Sequence, residues 1–113
     1  MRVTLDEAMK RLPLPATERW PEGVWDVEAM ARGTMSVILF APRGKDYQTS
    51  HGQDELYIVM SGSGVLQVED ERIAFGVGDV LFVAAGKFHR FVEFTEDLVT
   101  WAVFWGPEGG EEA

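Results

Sequence analysis

TSHGQDELYIVMSGSG, residues 49–64, carries the two clearest signals in the chain: a histidine close to a carboxylate, and a strand that ends in a turn. His51 stands four residues before Glu55. The run LYIVM that follows is apolar and rich in β-branched residues, and SGSG closes it. An apolar run bounded in this way predicts a β-strand that ends in a tight turn.

A second stretch, GDVLFVAAGKFHRFVE at residues 78–93, contains the same features in a similar order. Gly78-Asp79 is a turn signal, an apolar strand follows, and Gly86 marks a loop that leads to His89. The chain has two histidines in all, and one lies in each stretch. These two stretches therefore hold the candidate functional residues.

The rest of the chain predicts further strands and one helix. The sequence TLDE at residues 4–7 is a capping-box pattern, and apolar residues at helical spacing continue from it until Pro13. We therefore predict one short N-terminal helix, then irregular chain as far as Gly23. The remaining predicted strands are VWDVEAM, TMSVILFA, VLQVE, RIAF, VLFVA, HRFVEF and LVTWAVFW. Short, evenly spaced strands without intervening helices predict an antiparallel sandwich or barrel.

The two stretches resemble the two conserved motifs of the cupin superfamily, in the correct order and with the correct spacing. The matching positions are His51, Glu55 and Gly62 in the first motif and Gly78, Gly86 and His89 in the second. The chain departs from the family pattern at three positions. Thr49 stands where the first motif has another histidine, Ala84 replaces a proline, and Glu93 replaces an asparagine.

The resemblance implies an all-β fold, the antiparallel double-stranded β-helix that is also called a jelly roll or cupin barrel, with one short N-terminal helix. We expect a single cupin domain over residues 1–113. Its core would span about residues 24–105, after an N-terminal helix and irregular arm at 1–23 and before a flexible tail at 106–113. Small cupins usually pair through their sheets, so the resemblance also implies a homodimer.

The resemblance further implies a metal site made of His51, Glu55 and His89 inside the barrel. Two histidines and one carboxylate would bind a divalent ion, namely Fe, Mn, Ni or Zn, and leave positions open for substrate. Five further residues are possible additional ligands or pocket residues. They are Gln48, Thr49, Gln53, Tyr57 and Phe91.

Local geometry sets a condition on this site. Four residues of a straight strand span about 13 Å, which is too far for His51 and Glu55 to share one ion. The chain must therefore bend between them, and Gly52 is the residue where it could. Strand alternation then places Tyr57 on the same face as Glu55, and Phe91 on the same face as His89.

Composition limits the class of protein. A chain of 113 residues that is 46% hydrophobic can form one domain with a real core. It has no cysteine, which leaves only nitrogen and oxygen ligands for a metal. The N-terminal sequence MRVTLDEAMK lacks the apolar core of a signal peptide, and no apolar run approaches the roughly 18 residues of a membrane span. We therefore expect a cytoplasmic protein.

Net charge limits the partners. Asp and Glu outnumber Lys and Arg by 19 to 10, and the resulting charge of −9 opposes attraction to nucleic-acid phosphates or anionic lipid. We expect a small-molecule ligand or substrate, and neither nucleic acid nor membrane as partner. Lys87 and Arg90 flank His89, where they could recognise an anionic substrate or simply keep the surface soluble. The four tryptophans are interpreted as core or subunit contacts.

Three functions remain open at this stage. The first is a small metal-dependent enzyme of the oxygenase or isomerase type, in which the ion activates oxygen or polarises a carbonyl. The second is a non-catalytic module that binds or senses a small molecule, with a degenerate or absent metal site. The third is a purely structural barrel, in which Glu55 would be protonated or paired with His51 or His89.

Overall fold

Eight strands and one short helix form the protein, for which a computed structural model describes residues 1–112. The helix α1 spans Leu5–Met9. The strands are β1 Asp26–Arg32, β2 Met35–Phe40, β3 Asp54–Ser61, β4 Gly64–Val68, β5 Glu71–Phe75, β6 Val80–Val83, β7 His89–Phe94 and β8 Val99–Trp105. No helix within residues 1–112 has the length and apolar character needed to cross a membrane.

The N-terminal helix begins as predicted and ends early. Thr4 is its N-cap, and the Thr4 hydroxyl accepts a hydrogen bond of 3.1 Å from the Glu7 amide. After Met9 the amides of Arg11 and Leu12 donate to carbonyls three residues back, which tightens the chain and ends the α-helix before Pro13. Ala8, which is fully buried, fixes the helix against the fold.

The strands form two antiparallel sheets. The five-stranded sheet has the order β1-β2-β8-β3-β6, and the three-stranded sheet has the order β5-β4-β7. This confirms the prediction of an antiparallel, nearly all-β fold with one short helix. Among residues 1–112 no strand pairing joins the two sheets into a closed barrel, because each sheet ends in edge strands.

Two hairpin turns contain glycine, polar or charged residues. The first hairpin turns at Gly33–Thr34, while Arg32 still pairs with Met35 at the end of β1. The tip between β4 and β5 lies at residues 69–70, where Glu69 adopts a φ of 51°. Charged and polar residues at a solvated tip tolerate more than one register, so sequence alone does not determine which residues form the turn.

The core lies between the two sheets and follows the alternation expected of strands. In β3, Glu55, Tyr57 and Val59 are buried, whereas the residues between them are partly exposed. The buried cluster includes side chains of both sheets: Phe40, Tyr57, Val59, Leu66, Phe75, Leu81, Val83, Phe91, Leu98 and Ala102. The inward face of β3 therefore continues from aromatic core at Tyr57 to a carboxylate at Glu55.

Residues 106–112, which belong to the predicted flexible tail, lie against the start of β3. The amide of Gly109 donates to the carbonyl of Gly52 at 2.7 Å, and the amide of Glu111 donates to a carboxylate oxygen of Asp54 at 3.0 Å. These bonds place the segment beside the first motif. The flexibility of this segment stays a prediction.

Candidate metal centre

Three side chains from different places in the sequence converge at one end of the core. One ligand atom from each of His51, Glu55 and His89 lies within 4.8 Å of the other two. Glu55 is the second residue of β3, and His89 is the first residue of β7 in the facing sheet. Both are only 1% exposed, and His51 is half-buried. The structure thus brings together the three residues that the sequence predicted.

The bend that this convergence requires lies where the sequence placed it. Residues 52 and 53 form a bend, and β3 begins only at Asp54. Two backbone hydrogen bonds hold the two motif loops together. The Gly86 amide donates to the His51 carbonyl at 2.8 Å, and the His89 amide donates to the Thr49 carbonyl at 3.1 Å. The bend and these bonds bring His51 close to Glu55, although His51 precedes the strand that carries Glu55.

Glu55 and His89 form the buried part of the site. Glu55 Oε1 lies 3.0 Å from His89 Nε2, but neither atom has a partner with hydrogen-bond geometry within residues 1–112. On the other side of the ring, His89 Nδ1 lies 2.9 Å from the Lys87 carbonyl, a contact that requires Nδ1 to donate its proton. In the neutral imidazole this leaves the Nε2 lone pair directed at Glu55.

The electrostatics call for a positive charge beside Glu55. Burial lowers the pKa of His89, but the contacts with Glu55 and with the Lys87 carbonyl raise it by more, so that the net shift is upward. A buried carboxylate is stable only if a proton or a cation neutralises it. Either protonated His89 or a bound cation meets this need.

His51 differs from His89 in charge. Burial lowers the pKa of His51, and the neighbouring His89 and Arg19 lower it further, while Glu55 acts in the opposite direction. The imidazole is therefore neutral at physiological pH. A neutral imidazole is the form that binds a metal.

Gln48, one of the possible additional ligands, lies next to His51 in a buried polar network. Gln48 Oε1 lies 3.2 Å from His51 Nε2 and accepts a hydrogen bond of 3.2 Å from the Tyr57 hydroxyl. Gln48 Nε2 donates to Asp46 Oδ2 at 2.7 Å. Asp46 is 1% exposed and also accepts hydrogen bonds from the backbone amides of Gln48 and Phe91. Burial raises the pKa of Asp46 in spite of these bonds.

The other possible site residues take different positions. Gln53 is turned away, because its Nε2 donates to the carbonyls of Thr34 and Gly106. Thr49 is exposed, and its hydroxyl accepts a hydrogen bond of 3.0 Å from Arg19.

Tyr57 and Phe91 are buried with ring centroids 4.9 Å apart, and they form the aromatic floor next to the site. Burial, together with nearby Glu55 and Asp46, raises the pKa of Tyr57 well above its usual value, so the Tyr57 hydroxyl keeps the proton that it donates to Gln48. The two rings therefore combine packing with support of the polar network.

A pocket opens onto the converging side chains. It has a volume of about 240 Å³, and His51, Glu55 and Gln48 are among its lining residues. Its apolar walls are Trp20, Ile38, Phe40, Ala102 and Phe104. A mostly apolar cavity with a few polar groups is typical of small-molecule sites, and this volume lies just below the range of about 300–1,000 Å³ for drug-sized ligands.

The pocket also contains two charged residues that the sequence did not single out. Arg19 comes from the irregular N-terminal arm, and Asp26 is the first residue of β1. Burial raises the pKa of Asp26. No pattern around either residue could have indicated a place in the pocket, because the arm reaches the site only through tertiary packing.

Lys87 and Arg90, which could have recognised an anionic substrate, take other roles. Arg90 Nε donates to the Gln48 carbonyl at 2.7 Å, and its guanidinium lies over the ring of Phe88. The Lys87 carbonyl orients His89, while the Lys87 side chain is exposed. Trp20, interpreted as a core or subunit contact, packs edge-on against Phe40 and also lines the pocket.

Comparison with known proteins identifies the family of this chain. Residues 36–105 match the cupin domain family, and this range contains both motifs. The chain belongs to the cupin family. A 41% identical relative from Streptomyces coelicolor, an uncharacterized protein, aligns over 76 residues, which are 66% of this cupin and 72% of the relative.

Solved structures share the fold. A cupin 2 conserved barrel domain protein from Salinispora arenicola is 23% identical, with a TM-score of 0.61, over 72% of this cupin and 74% of that chain. The DMSP lyase DddQ from Ruegeria pomeroyi is 18% identical, with a TM-score of 0.62, over 72% of this cupin and 46% of that chain. At these identities the likeness concerns the fold alone.

Proposed function

We propose that this cupin, built as the double-stranded β-helix of its family, binds one divalent metal through His51, Glu55 and His89 and acts on a small organic molecule in the adjoining pocket. The observation that carries the proposal is the buried contact between Glu55 Oε1 and His89 Nε2, two atoms without a hydrogen bond at the end of an open pocket. Two imidazoles and one carboxylate suit Fe, Mn, Ni or Zn.

The metal, when bound, supplies Lewis-acid polarisation of a carbonyl or a place for oxygen, as oxygenase or isomerase chemistry requires. The residues of the chain have separate tasks around it. Trp20, Phe40 and Phe104 exclude water from the bound molecule, which strengthens the electrostatic interactions inside the pocket. Arg19 offers a cation for an anionic group of the substrate, and Asp26 offers a carboxyl group with a raised pKa that can hold a proton.

The second candidate is a non-catalytic small-molecule binder. The observation in its favour is Thr49, which stands at the position of the first motif histidine and whose hydroxyl accepts a hydrogen bond from Arg19. In this function the pocket binds a ligand with or without an ion, and no turnover occurs.

We also propose a homodimer formed through the outer face of the five-stranded sheet. Strand alternation directs Ile58 and Trp101 away from the core between the two sheets, and together with neighbouring strands they form an apolar hollow of about 270 Å³. The other lining residues are Val3, Ala29, Met30, Val37 and Val103. An apolar sheet face of this kind supports self-association.

Metal content tests the proposal directly. The protein is purified without an affinity tag, and metals are measured by plasma mass spectrometry in the wild type, His51→Ala and His89→Ala. Glu93→Gln is the control, because Glu93 is an exposed carboxylate paired with Arg72. We expect about one equivalent of metal in the wild type and the control, and a loss in both histidine variants.

The outcomes separate the two candidates. Metal in the wild type leads to screens of oxygen consumption and isomerisation with and without the ion. A wild-type protein that stays empty after incubation with Fe, Mn, Ni and Zn would refute the metal site. If that protein still binds a small molecule in its pocket, the non-catalytic function is correct.

A further inference from the structure

We infer that Gln48 Oε1 is a fourth ligand of the metal, in place of the missing motif histidine, and that it biases the site toward Mn²⁺ over Zn²⁺. The inference rests on the proposed metal site of His51, Glu55 and His89. It goes further because it assigns a ligand outside the two motifs and a class of ion.

Two distances support a shared ion. Gln48 Oε1 lies 3.2 Å from His51 Nε2, and Glu55 Oε1 lies 3.0 Å from His89 Nε2. Metal bonds of about 2.0–2.2 Å at right angles place adjacent ligand atoms roughly 2.8–3.1 Å apart. Each pair therefore has nearly the spacing of neighbouring ligands on one ion. His51 connects the pairs, because one of its ring nitrogens lies within 4.8 Å of the ligand atoms of Glu55 and His89.

A hydrogen bond to Asp46 fixes the orientation of the Gln48 amide. Its Nε2 donates to Asp46 Oδ2 at 2.7 Å, so its Oε1 must point the other way, toward His51 and Tyr57. Asp46 is held in turn by the backbone amides of Gln48 and Phe91. A buried carboxylate that orients a ligand and increases its electron density is the usual partner of metal-binding side chains.

Gln48 also fills the place that Thr49 leaves. Thr49 also lines the pocket, but its hydroxyl accepts from Arg19 and its side chain is exposed. Gln48 precedes it by one residue, is buried, and lines the pocket together with His51 and Glu55. A longer side chain one residue earlier thus reaches the position where a shorter one would fail.

The exchange of a nitrogen ligand for an oxygen ligand has a chemical consequence. Amide and carboxylate oxygens suit Mn²⁺, whereas imidazole suits Zn²⁺, Cu²⁺, Ni²⁺ and iron. The set of His51, Glu55, His89 and Gln48 has two nitrogens and two oxygens. It should therefore discriminate less strongly in favour of Zn²⁺ than a site with three imidazoles does.

A purely supporting role for Gln48 makes a different prediction. If His51 Nε2 carries a proton, it donates to Gln48 Oε1, and the amide only holds the ring in position. Removal of the amide would then weaken the binding of every metal by the same factor, because each ion uses the same His51. A ligand role instead changes the ratio between metals.

The experiment measures Mn²⁺ and Zn²⁺ dissociation constants by competition with a chelator, for the metal-free wild type, Gln48→Leu and Gln48→His. Gln53→Leu is the matched control, because the Gln53 side chain donates to the carbonyls of Thr34 and Gly106. We expect Gln48→Leu to weaken Mn²⁺ binding by about tenfold or more and Zn²⁺ binding by less. Gln48→His should shift the ratio further toward Zn²⁺, and the control should match the wild type.

A second readout is independent of affinity. The visible absorption of bound Co²⁺ becomes more intense as coordination number falls, so Gln48→Leu should show stronger bands than the wild type. Gln48→Leu removes a partner of buried Asp46; if this variant does not fold, Gln48→His, which keeps a polar side chain, carries the test alone.

Three results would overturn the inference. One is an equal loss of Mn²⁺ and Zn²⁺ affinity in Gln48→Leu with an unchanged Co²⁺ spectrum, which indicates a positioning residue. Another is a Mn²⁺ to Zn²⁺ ratio in Gln48→His equal to that of the wild type. The third is a wild-type protein that binds neither ion, in which case the proposed metal site fails as well.

Discussion

Glu55 and His89 face each other across the two sheets, with 3.0 Å between Oε1 and Nε2 and about 1% of each residue exposed. Such a pair is a poor means of stabilising a fold, because the desolvation of two ionisable groups offsets most of their attraction. A site of this kind should cost the metal-free protein some stability. It should return that stability when a cation binds.

Glu55→Gln tests this relationship by removal of the charge with little change of shape. We expect the metal-free variant to be more stable than the wild type by about 1 kcal/mol, because no buried carboxylate remains to be neutralised. Metal at a hundred times its dissociation constant should raise the stability of the wild type by about 2.7 kcal/mol and that of the variant far less. Thermal unfolding with and without metal measures both effects. Glu93→Gln should respond to metal like the wild type.

Asp54 predicts a dependence of stability on pH. The backbone amides of Glu111 and Ala85 donate to its carboxylate and lower its pKa. A carboxyl group with a lower pKa in the folded state stabilises the protein above its unfolded pKa of about 3.9. That contribution is lost as the pH falls through the lower, folded-state pKa.

The test compares Asp54→Asn with the wild type by urea unfolding across this pH range. The variant should be less stable at pH 7; the gap should begin to close near pH 4 and should be gone below the lowered, folded-state pKa, where the wild-type carboxylate is protonated. Asp70→Asn, at the hairpin tip, is the control. A gap that stays constant between pH 7 and pH 3 would show that the ionised form of Asp54 contributes nothing.

Phe91→Ala and Phe82→Ala separate the core from the surface. Phe91 is 2% exposed and packs against the rings of Tyr57, Phe75 and Phe40 at centroid distances of 4.9, 5.4 and 6.0 Å. Its truncation should cost about 3–5 kcal/mol in urea unfolding. Phe82, on the edge strand β6, is 56% exposed, and its truncation should cost less than about 1 kcal/mol. Similar losses in both variants would contradict this assignment of the core.

The backbone conformation and the close surroundings of Gly62 explain why a glycine closes the first motif. Its φ is 85°, and a Cβ atom there would approach the Leu98 backbone to 2.8 Å. We expect Gly62→Ala to cost about 3 kcal/mol, from both the backbone conformation and the clash. Gly33→Ala is the control, since Gly33 also has positive φ but has open space around it, and it should cost about 1 kcal/mol. Equal losses in chemical denaturation would exclude the steric term.

The proposed dimer predicts different effects on the two sheets. Val37→Glu places a charge in the apolar hollow of the five-stranded sheet and should convert a dimer to a monomer in light scattering coupled to size exclusion. Val92→Glu changes an exposed position on the three-stranded sheet and should leave the mass unchanged. A wild-type protein that elutes as a monomer at all concentrations would refute the dimer.

Much of the fold could be predicted because its signals are local. Alternation in DELYIVMS fixed which residues of β3 face inward, and the buried positions of Glu55, Tyr57 and Val59 confirm it. The convergence of His51 with Glu55 could also be expected once a bend at Gly52 was required. These inferences depend on neighbours in the chain, and such neighbours leave a periodic pattern.

The remainder of the site depends on contacts that leave no pattern. Gln48 and Gln53 were equivalent candidates in the sequence, and only the fold distinguishes them, since one lies before the bend and the other within it. Asp46 was hidden in a polar loop, although it orients Gln48. Arg19, from the N-terminal arm, and Asp26, the first residue of β1, belong to segments with no motif, and only tertiary packing brings them into the pocket.

The origin of the pocket walls has an evolutionary consequence. The cupin match begins at residue 36, whereas Arg19, Trp20 and Asp26 line the pocket from positions before it. In the proposed function the ligands of the ion all lie within the match, whereas part of the wall around the substrate lies before it, so these two parts of the chain can diverge separately. On that proposal, changes confined to residues before the match could give a descendant that keeps the metal ligands while it accepts a different substrate.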